Sequence, residues 1–394
     1  MKDNNQTIRN IKEVLEKFQR QYIKSDSYGV DTFLSEFFID EEDTSFIGPG
    51  SSSWYFGLPQ ISDGINAYRE DEHKYLKNIE LDIDNSIINV EDGVATIAIC
   101  GKSTGNIDEE KIYSHEVEKL SKGFNANNIS KEEVLKASRD ISRLFLETTL
   151  GEIYNWPFRV TMLMINKGEN WMIKHMSISF CEFDSDIAFT NKSINQEFSV
   201  IPIEKRSNDD ILEIQEVMEN LQEAYCKRDV NLVDKYSEEL FNKDENLFIF
   251  GTCDSEKFHG FNQCRELLQG DWGYWGDFNV NRENAFIRTY NNVAVVYSKA
   301  FVRFSSNEQS TYEGLCDFLH NSLIPENKSS KALLSEFLWN INARLCGVEN
   351  SDEDEIVPLK FVGLLIKKDG KWKFNHMHFS VPVDGMPKDR IAAV

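Results

Sequence analysis

Residues 8–24 and 211–227 carry the same apolar spacing. Ile8, Ile11, Val14, Leu15, Phe18 and Tyr22 form one set, and Ile211, Ile214, Val217, Met218, Leu221 and Tyr225 form the other. Steps of three and four residues put each set on one face of an amphipathic helix. The offset between the sets is 203, and it also joins Gln19 to Gln222, Asp26 to Asp229, Val30 to Val233, Phe38 to Phe241 and Gly57 to Gly260. Phe46-Ile47-Gly48 lies over Ile249-Phe250-Gly251. Near the C-terminus, Trp372 to Ser380 repeats Trp171 to Ser179 at an offset of 201. The chain is therefore one fold written twice, and internal repetition outranks any local reading.

Each half then reads in the same order. A second short helix (about 29–39 and 232–242) leads into a strand ending at Gly48 or Gly251. A third helix follows Gly57 or Gly260 (about 61–76 and 261–269). Long strands are expected at Ile79–Asn89 and Phe278–Thr289. Turns at Glu91-Asp92-Gly93 and Tyr290-Asn291-Asn292 return them as hairpins. Each half next departs into a helical insertion, 114–153 and 312–350. Ser130-Lys131-Glu132-Glu133 reads as a capping box for Val134, Ile141, Leu144 and Phe145. The second insertion carries Leu333, Leu334, Phe337, Leu338, Ile341 and Leu345. Strands Phe158–Asn166 and Leu359–Lys367 then return to the final strands. The expected domains are 1–183 and 209–386, joined by a polar linker at 184–208.

With 394 residues, 41% hydrophobic and 27 Phe, the chain holds enough apolar material for two cores. No apolar run reaches the length of a membrane span. The start, MKDNNQTIRN, lacks a secretory h-region. Seven cysteines (100, 181, 226, 253, 264, 316, 346) have no CxxC spacing, which points to reduced thiols in a cytoplasm rather than disulfides or zinc. A net charge of -23 opposes nucleic acid and anionic membrane as partners. No phosphate loop, HExxH, GxSxG or EF-hand pattern is present, and no cofactor is expected.

Helix, short helix, strand, helix and then four antiparallel strands is the order of the cone-shaped α+β fold of the nuclear transport factor 2-like superfamily. The final strand resembles its SnoaL-like group, which often ends in W-x-x-x-H-x-H-x-S-x-P. Trp372, His376, His378, Ser380 and Pro382 fit that pattern fully. Trp171, His175 and Ser179 fit in part, with Ser177 and Cys181 departing from it. The resemblance implies two tandem cones, each a curved antiparallel sheet around its N-terminal helices, each with a helical insertion. Domains of this superfamily commonly pair through their sheets, so fusion implies an intramolecular pseudo-dimer, with further homo-oligomerisation open. The isomerase chemistry of the superfamily does not carry over. Its helix-one tyrosine falls on Gln19 and Gln222, its basic aspartate near Gly48-Pro49 and Gly251-Thr252, and its oxyanion aspartate near Thr161 and Val362.

Alternate residues of a strand share a face. Trp372, Phe374, His376, His378 and Ser380 are therefore expected on one side, as the wall of a pocket inside the second cone. His376 and His378 are the candidate acid/base residues, since histidine titrates near neutral pH. Trp171, His175 and Ser179 are the first half's equivalents. Tyr22 and Tyr225 either point a hydroxyl into the cones or serve as core. Trp54, Trp272 and Trp275 lie in aromatic, glycine-rich segments (53–57 and 271–277) that either clamp a flat ligand at the rim or plug it. No metal site is expected. Three functions fit: a module binding a small apolar or aromatic molecule, which the polar strand face and aromatic rim favour; an enzyme of the cyclase, isomerase or dehydratase kind; or a scaffold with plugged cones.

Overall fold

The computed structural model describes residues 4–24, 29–70, 78–106, 151–168, 170–182, 208–304, 355–383, Pro387 and scattered positions of the two insertions. The expected linker lies outside these residues, apart from Asn208. Two compact units form. One comprises Met1–Thr104, Trp156–Val302 and Ile356–Arg390; the other comprises Gly105–Asn155, Arg303–Glu355 and Ile391–Val394. Among the described residues, no helix is long and apolar enough to cross a membrane.

The first unit contains both copies of the repeat. In the first copy, α1 (Asn4–Lys24), α2 (Val30–Phe37), β1 (Ser45–Ile47), β2 (Trp54–Phe56) and α3 (Gly57–Glu70) precede β3 (Ile79–Leu81), β4 (Ile87–Glu91), β5 (Val94–Asn106), β6 (Ile153–Lys167) and β7 (Asn170–Phe180). The second copy runs α4 (Asp209–Lys227), α5 (Val233–Leu240), β8 (Phe248–Phe250), β9 (Lys257–His259), α6 (Gly260–Tyr274), β10 (Asp277–Val280), β11 (Phe286–Tyr290), β12 (Val293–Phe304), β13 (Glu355–Lys368) and β14 (Lys371–Ser380). Each copy forms a seven-stranded sheet, ordered β2-β1-β7-β6-β5-β3 and β9-β8-β14-β13-β12-β10, with β4 on β5 and β11 on β12. The architecture is α+β, as expected. Among the described pairings, β1 joins β7 and β8 joins β14 in parallel, while β1–β2, β3–β5, β4–β5, β6–β7, β8–β9, β11–β12 and β13–β14 are antiparallel.

Local chemistry accounts for the element ends. Asn208 caps α4 by accepting from the Ile211 amide at 2.8 Å. Asp92-Gly93 and Asp369-Gly370 both take positive φ, the geometry of a two-residue hairpin turn. The long strands expected at 79–89 and 278–289 are each broken in two. The breaks fall at Asp82–Ser86 and Asn281–Ala285, where Asn85 and Asn284 side chains bond Asp82 and Asn281. Such side-chain bonds close turns rather than extend a ladder.

The final strands carry the feature that decides which residues face where. The β13–β14 register slips between Leu364 and Leu365, so Leu364 pairs His376 while Leu365 pairs Phe374. Asn375 is the extra residue of this β-bulge. The β6–β7 pair slips at the matching place, between Leu163 and Met164, with Lys174 extra. A bulge reverses the alternation of side chains along a strand. Phe374 therefore joins Phe361 and Phe379 on the helix-covered face, and His376 and His378 turn to the opposite face.

That opposite face is where the halves meet. Ile47, Trp54, Phe56, Val94 and Leu163 of the first copy pack with Phe286, Val293, Val295, Tyr297, Val362 and Leu364 of the second. Burying each large apolar side chain contributes about 1.5–3 kcal/mol. The polar contacts across the seam are reciprocal. Arg159 of β6 donates to the carbonyls of Gly251 and Cys253. Lys360, its counterpart at offset 201, donates to the carbonyls of Gly48, at 2.7 Å, and Gly50. Arg288 pairs with Asp43 at 3.1 Å, and its counterpart Asn89 donates to the carbonyl of Asn246.

In the second unit, Ser138 and Ser142 of the first insertion bond Asn342 of the second. Val134, Ile141, Phe145, Leu334 and Leu338 are exposed. The capping box at Ser130–Glu133, and Leu333, Phe337 and Leu345, lie outside the described residues.

Candidate functional site

The two histidines of the final strand sit in a hydrogen-bond chain along the seam. His376 Nδ1 lies 3.0 Å from the Phe248 carbonyl, which can only accept, so Nδ1 carries the proton. Nε2 then accepts from the Thr161 hydroxyl at 2.8 Å. With its proton committed, the Thr161 oxygen accepts from His378 Nδ1 at 3.0 Å. His378 Nε2 in turn accepts from Ser179 Oγ at 2.7 Å. The chain fixes both tautomers and leaves no ring nitrogen for another partner. Burial pushes His376 down to about 3 and His378 well below the usual imidazole value, with His376 and Arg159 adding to the latter. Both rings are neutral and held between two sheets.

Thr161→Val is expected to strand the acceptor on His376 and the donor on His378. The fold should lose about 2–3 kcal/mol, read by urea denaturation, while the imidazole nitrogen shifts of both histidines change together. Unchanged shifts would contradict the chain.

His175 lies in the same seam. Its Nδ1 is 2.8 Å from Ser45 Oγ and its Nε2 is 2.7 Å from the Tyr290 hydroxyl of the other copy. Burial, then the nearby Lys174 ammonium, pushes it well below its usual value. Lys174, the bulge residue, is fully buried against Glu41, Asp43 and Thr44. Ser380 is buried at the end of the final strand.

The pocket wall expected from Trp372 to Ser380 is therefore divided by the bulge. Trp372 lies on the helix side, where its indole donates to Asp210 at 2.9 Å, and Trp171 is buried at the matching position. The histidines face the other half instead of the helices.

The ionisable group on the helix-covered face is one the sequence reading passed over. Tyr225 on α4, fully buried, donates to Asp271 Oδ2 on α6 at 2.7 Å. Burial, assisted by the charge of Glu256, pushes the Asp271 carboxyl up to about 7, against the opposing Tyr225 hydrogen bond. Burial and the Asp271 charge push the Tyr225 phenol well above its usual value. Glu256, in the turn between β8 and β9, accepts from the Thr252 and Cys253 amides. A Cβ at Gly251 would run into the Glu256 carboxyl.

Aromatic rings pack around Tyr225. Tyr225 contacts Trp275 and Phe278, Trp275 contacts Phe379, and Phe278 contacts Phe361 and Phe379. The run 271–277, expected as a rim loop, is instead helical up to Tyr274. Trp272 is buried edge-on to Tyr236, and its indole N–H has no hydrogen-bond partner.

At offset 203 the first copy places Tyr68 where Asp271 stands and Ser53 where Glu256 stands, and the two hydroxyls bond each other at 2.7 Å. Tyr22, the counterpart of Tyr225, packs on Phe18 and Phe33. The structure thus joins Tyr225 and Trp275 in one cluster and His376, His378 and Ser179 in another. His175 and Trp54 stand apart from both. The difference between aligned copies, acid against hydroxyl at two matched positions, is the signal that would have found Asp271 and Glu256.

No known family matches the sequence by its profile, and no curated protein matches it. Among solved structures the chain is similar to a nuclear transport factor 2-like superfamily protein from Salmonella enterica serovar Typhimurium, at 12% identity over 44% of this chain and 92% of that one, TM-score 0.29. It is also similar to a protein of unknown function with a cystatin-like fold from Nostoc punctiforme, at 13% identity over 44% and 92%, TM-score 0.28. A third is a nuclear transport factor 2-like protein of unknown function from Pseudomonas putida, at 12% identity over 48% and 97%, TM-score 0.29. At these identities and TM-scores the likenesses carry no argument about activity or partners. By its element order, its strand order and its internal repeat, the chain is two tandem copies of one α+β fold, in the element order that the nuclear transport factor 2-like resemblance implies.

Proposed function

We propose that the protein binds a small apolar or aromatic molecule on the helix-covered face of its second copy, with Asp271 and Tyr225 as the polar anchor. The observation that carries this reading is the Tyr225–Asp271 pair: a carboxyl that burial pushes up to about 7, hydrogen-bonded to a buried phenol that packs among aromatic rings. A protonated acid in a dry setting, one of its oxygens held by the Tyr225 phenol, donates strongly from the other to a carbonyl or enol oxygen, and the same carboxyl accepts a proton once ionised. The buried indole N–H of Trp272 adds a donor in the same helix turn.

The first copy, with Tyr68 and Ser53 at these positions, is read as the structural partner. The seam supports reading the chain as an intramolecular pseudo-dimer of domains 1–183 and 209–386. None of the five described cysteines is in a disulfide, which supports a reducing, cytoplasmic setting in this reading. His376 and His378 serve the seam in this reading rather than catalysis.

A second reading has its own observation. The ring contacts among Tyr225, Trp275, Phe278, Phe361 and Phe379 are those of a filled core, which favours a scaffold. Native mass spectrometry of the gently purified full chain separates the two. The binding reading expects one chain plus a few hundred daltons, with the compound released on denaturation and lost in Asp271→Asn. A clean single-chain mass supports the scaffold.

A further inference from the structure

The grip of Arg159 on the second copy does not end at the seam. Its guanidinium donates to the Gly251 carbonyl. The amide of that same peptide group, Thr252 N–H, donates to Glu256 Oε2 at 2.5 Å. One peptide group therefore stands between a cation of the first copy and a carboxylate of the second. A cation on the carbonyl polarises the peptide and strengthens its N–H as a donor. Cys253 widens the hold. Its carbonyl takes the other guanidinium nitrogen, and its amide donates to Glu256 Oε2 at 2.9 Å. The Thr252 hydroxyl reaches the same oxygen at 3.4 Å, and the Gly251 amide holds the Glu256 carbonyl at 3.0 Å.

The first copy repeats this device without the charge. Lys360 donates to the carbonyls of Gly48 and Gly50, the matches of Gly251 and Cys253. The Gly48 amide holds the Ser53 carbonyl at 2.8 Å. Ser53 stands at the Glu256 position and Tyr68 at the Asp271 position, and their hydroxyls bond at 2.7 Å. The two positions thus touch in the first copy. In the second copy both carry acids, and the charge of Glu256 bears on Asp271 and on Tyr225 alike. Among the described residues, the titratable groups that face Asp271 are Tyr225 of α4 and Glu256 of the β8–β9 turn, while Cys264 of α6 faces Tyr225. Like charges at close range favour the protonated form of one of them.

We propose that Glu256 is a positioning residue of the Asp271 site and that Arg159 of the first copy holds it there, so that the seam governs how the second copy's carboxyl keeps its proton. The proposal rests on reading the Tyr225–Asp271 pair as the ligand anchor. The first copy then sets the protonation of an anchor that it does not itself carry. A ligand or partner that loosened Arg159 would release Glu256 and weaken Asp271 as a donor.

Carbon-13 NMR of the aspartate carboxyls in the full chain tests this. Glu256→Gln keeps an acceptor for both amides and removes the charge. It is expected to lower the Asp271 midpoint by roughly half a pH unit or more. Arg159→Lys keeps the cation and loses the fork. It should lower the midpoint in the parent and leave it unmoved in the Glu256→Gln background, because its effect passes through Glu256. An unmoved midpoint in Glu256→Gln overturns the proposal, and so does an Arg159→Lys shift that is equal with and without Glu256. Should Arg159→Lys fail to fold, Gly251→Ala takes its place, since a Cβ there meets the Glu256 carboxyl. It must shift the midpoint, and a parent-like value overturns the proposal. A parent midpoint near 4 would instead remove the anchor reading itself, which tells the two failures apart.

Discussion

Arg159→Ala is expected to lower the free energy of unfolding by about 3–6 kcal/mol, since each hydrogen bond to a charged donor is worth about 1.5–3 kcal/mol. The side chain is 1% exposed, and its guanidinium lies 4.9 Å from the Phe250 ring centroid while its two terminal nitrogens hold the Gly251 and Cys253 carbonyls. Alanine leaves both carbonyls without their donor and a void against Phe250. It also weakens the hold of the first copy on the turn that carries Glu256. Arg159→Lys should recover part of the loss, because Lys360 holds two carbonyls with an ammonium at the matched position. Urea denaturation of the full chain reads both variants. A loss below about 1 kcal/mol, the value of an exposed ion pair, would remove Arg159 from the account.

Acid is expected to unfold the protein well above the pH at which its carboxylates alone would yield. His175, His376 and His378 are neutral and buried with depressed values, whereas in the unfolded chain each titrates near 6.5. Their contribution to stability is therefore full above about pH 6.5 and is lost as pH falls toward the folded values, at about 1.4 kcal/mol per pH unit per histidine. Asp271 acts in the opposite sense. Its folded value of about 7 lies above its unfolded value, so its contribution is full at low pH and is lost as pH rises through 7. Three histidines against one carboxyl leave the net dependence with the histidines' sign, so stability falls as pH falls below about 6.5. A domain with about 5–15 kcal/mol to spend unfolds inside that range. Urea midpoints at pH 7, 6 and 5 check the slope. A flat profile across them would mean that the histidines are solvated.

The repeat made the fold legible. A constant offset carried each helix and strand of one copy onto the other, and the glycines and turn residues marked where they end. What stayed hidden depended on single residues whose effect is not periodic. Asn375 and Lys174 are ordinary strand residues in sequence, yet as bulge residues they reverse the faces. Trp372 and Phe374 therefore look at the helices while His376 and His378 look at the other sheet. Asp271 read as part of an aromatic loop because Gly270 and Gly273 suggest a break, but α6 runs through both. Arg159 and Lys360 sit inside apolar strands at matched positions. Such cations need partners, and those partners lie in the other copy, beyond the reach of local pattern.

The central claim is that the second copy holds a proton-bearing carboxyl on its helix-covered face at neutral pH. Carbon-13 NMR of the aspartate side-chain carboxyls across pH 4–9, with Asp271→Asn to assign the resonance, tests it directly. The account predicts an Asp271 midpoint near 7, accompanied by a shift of the Tyr225 ring signals. A midpoint near 4 would show an ordinary solvated carboxylate and contradict the site.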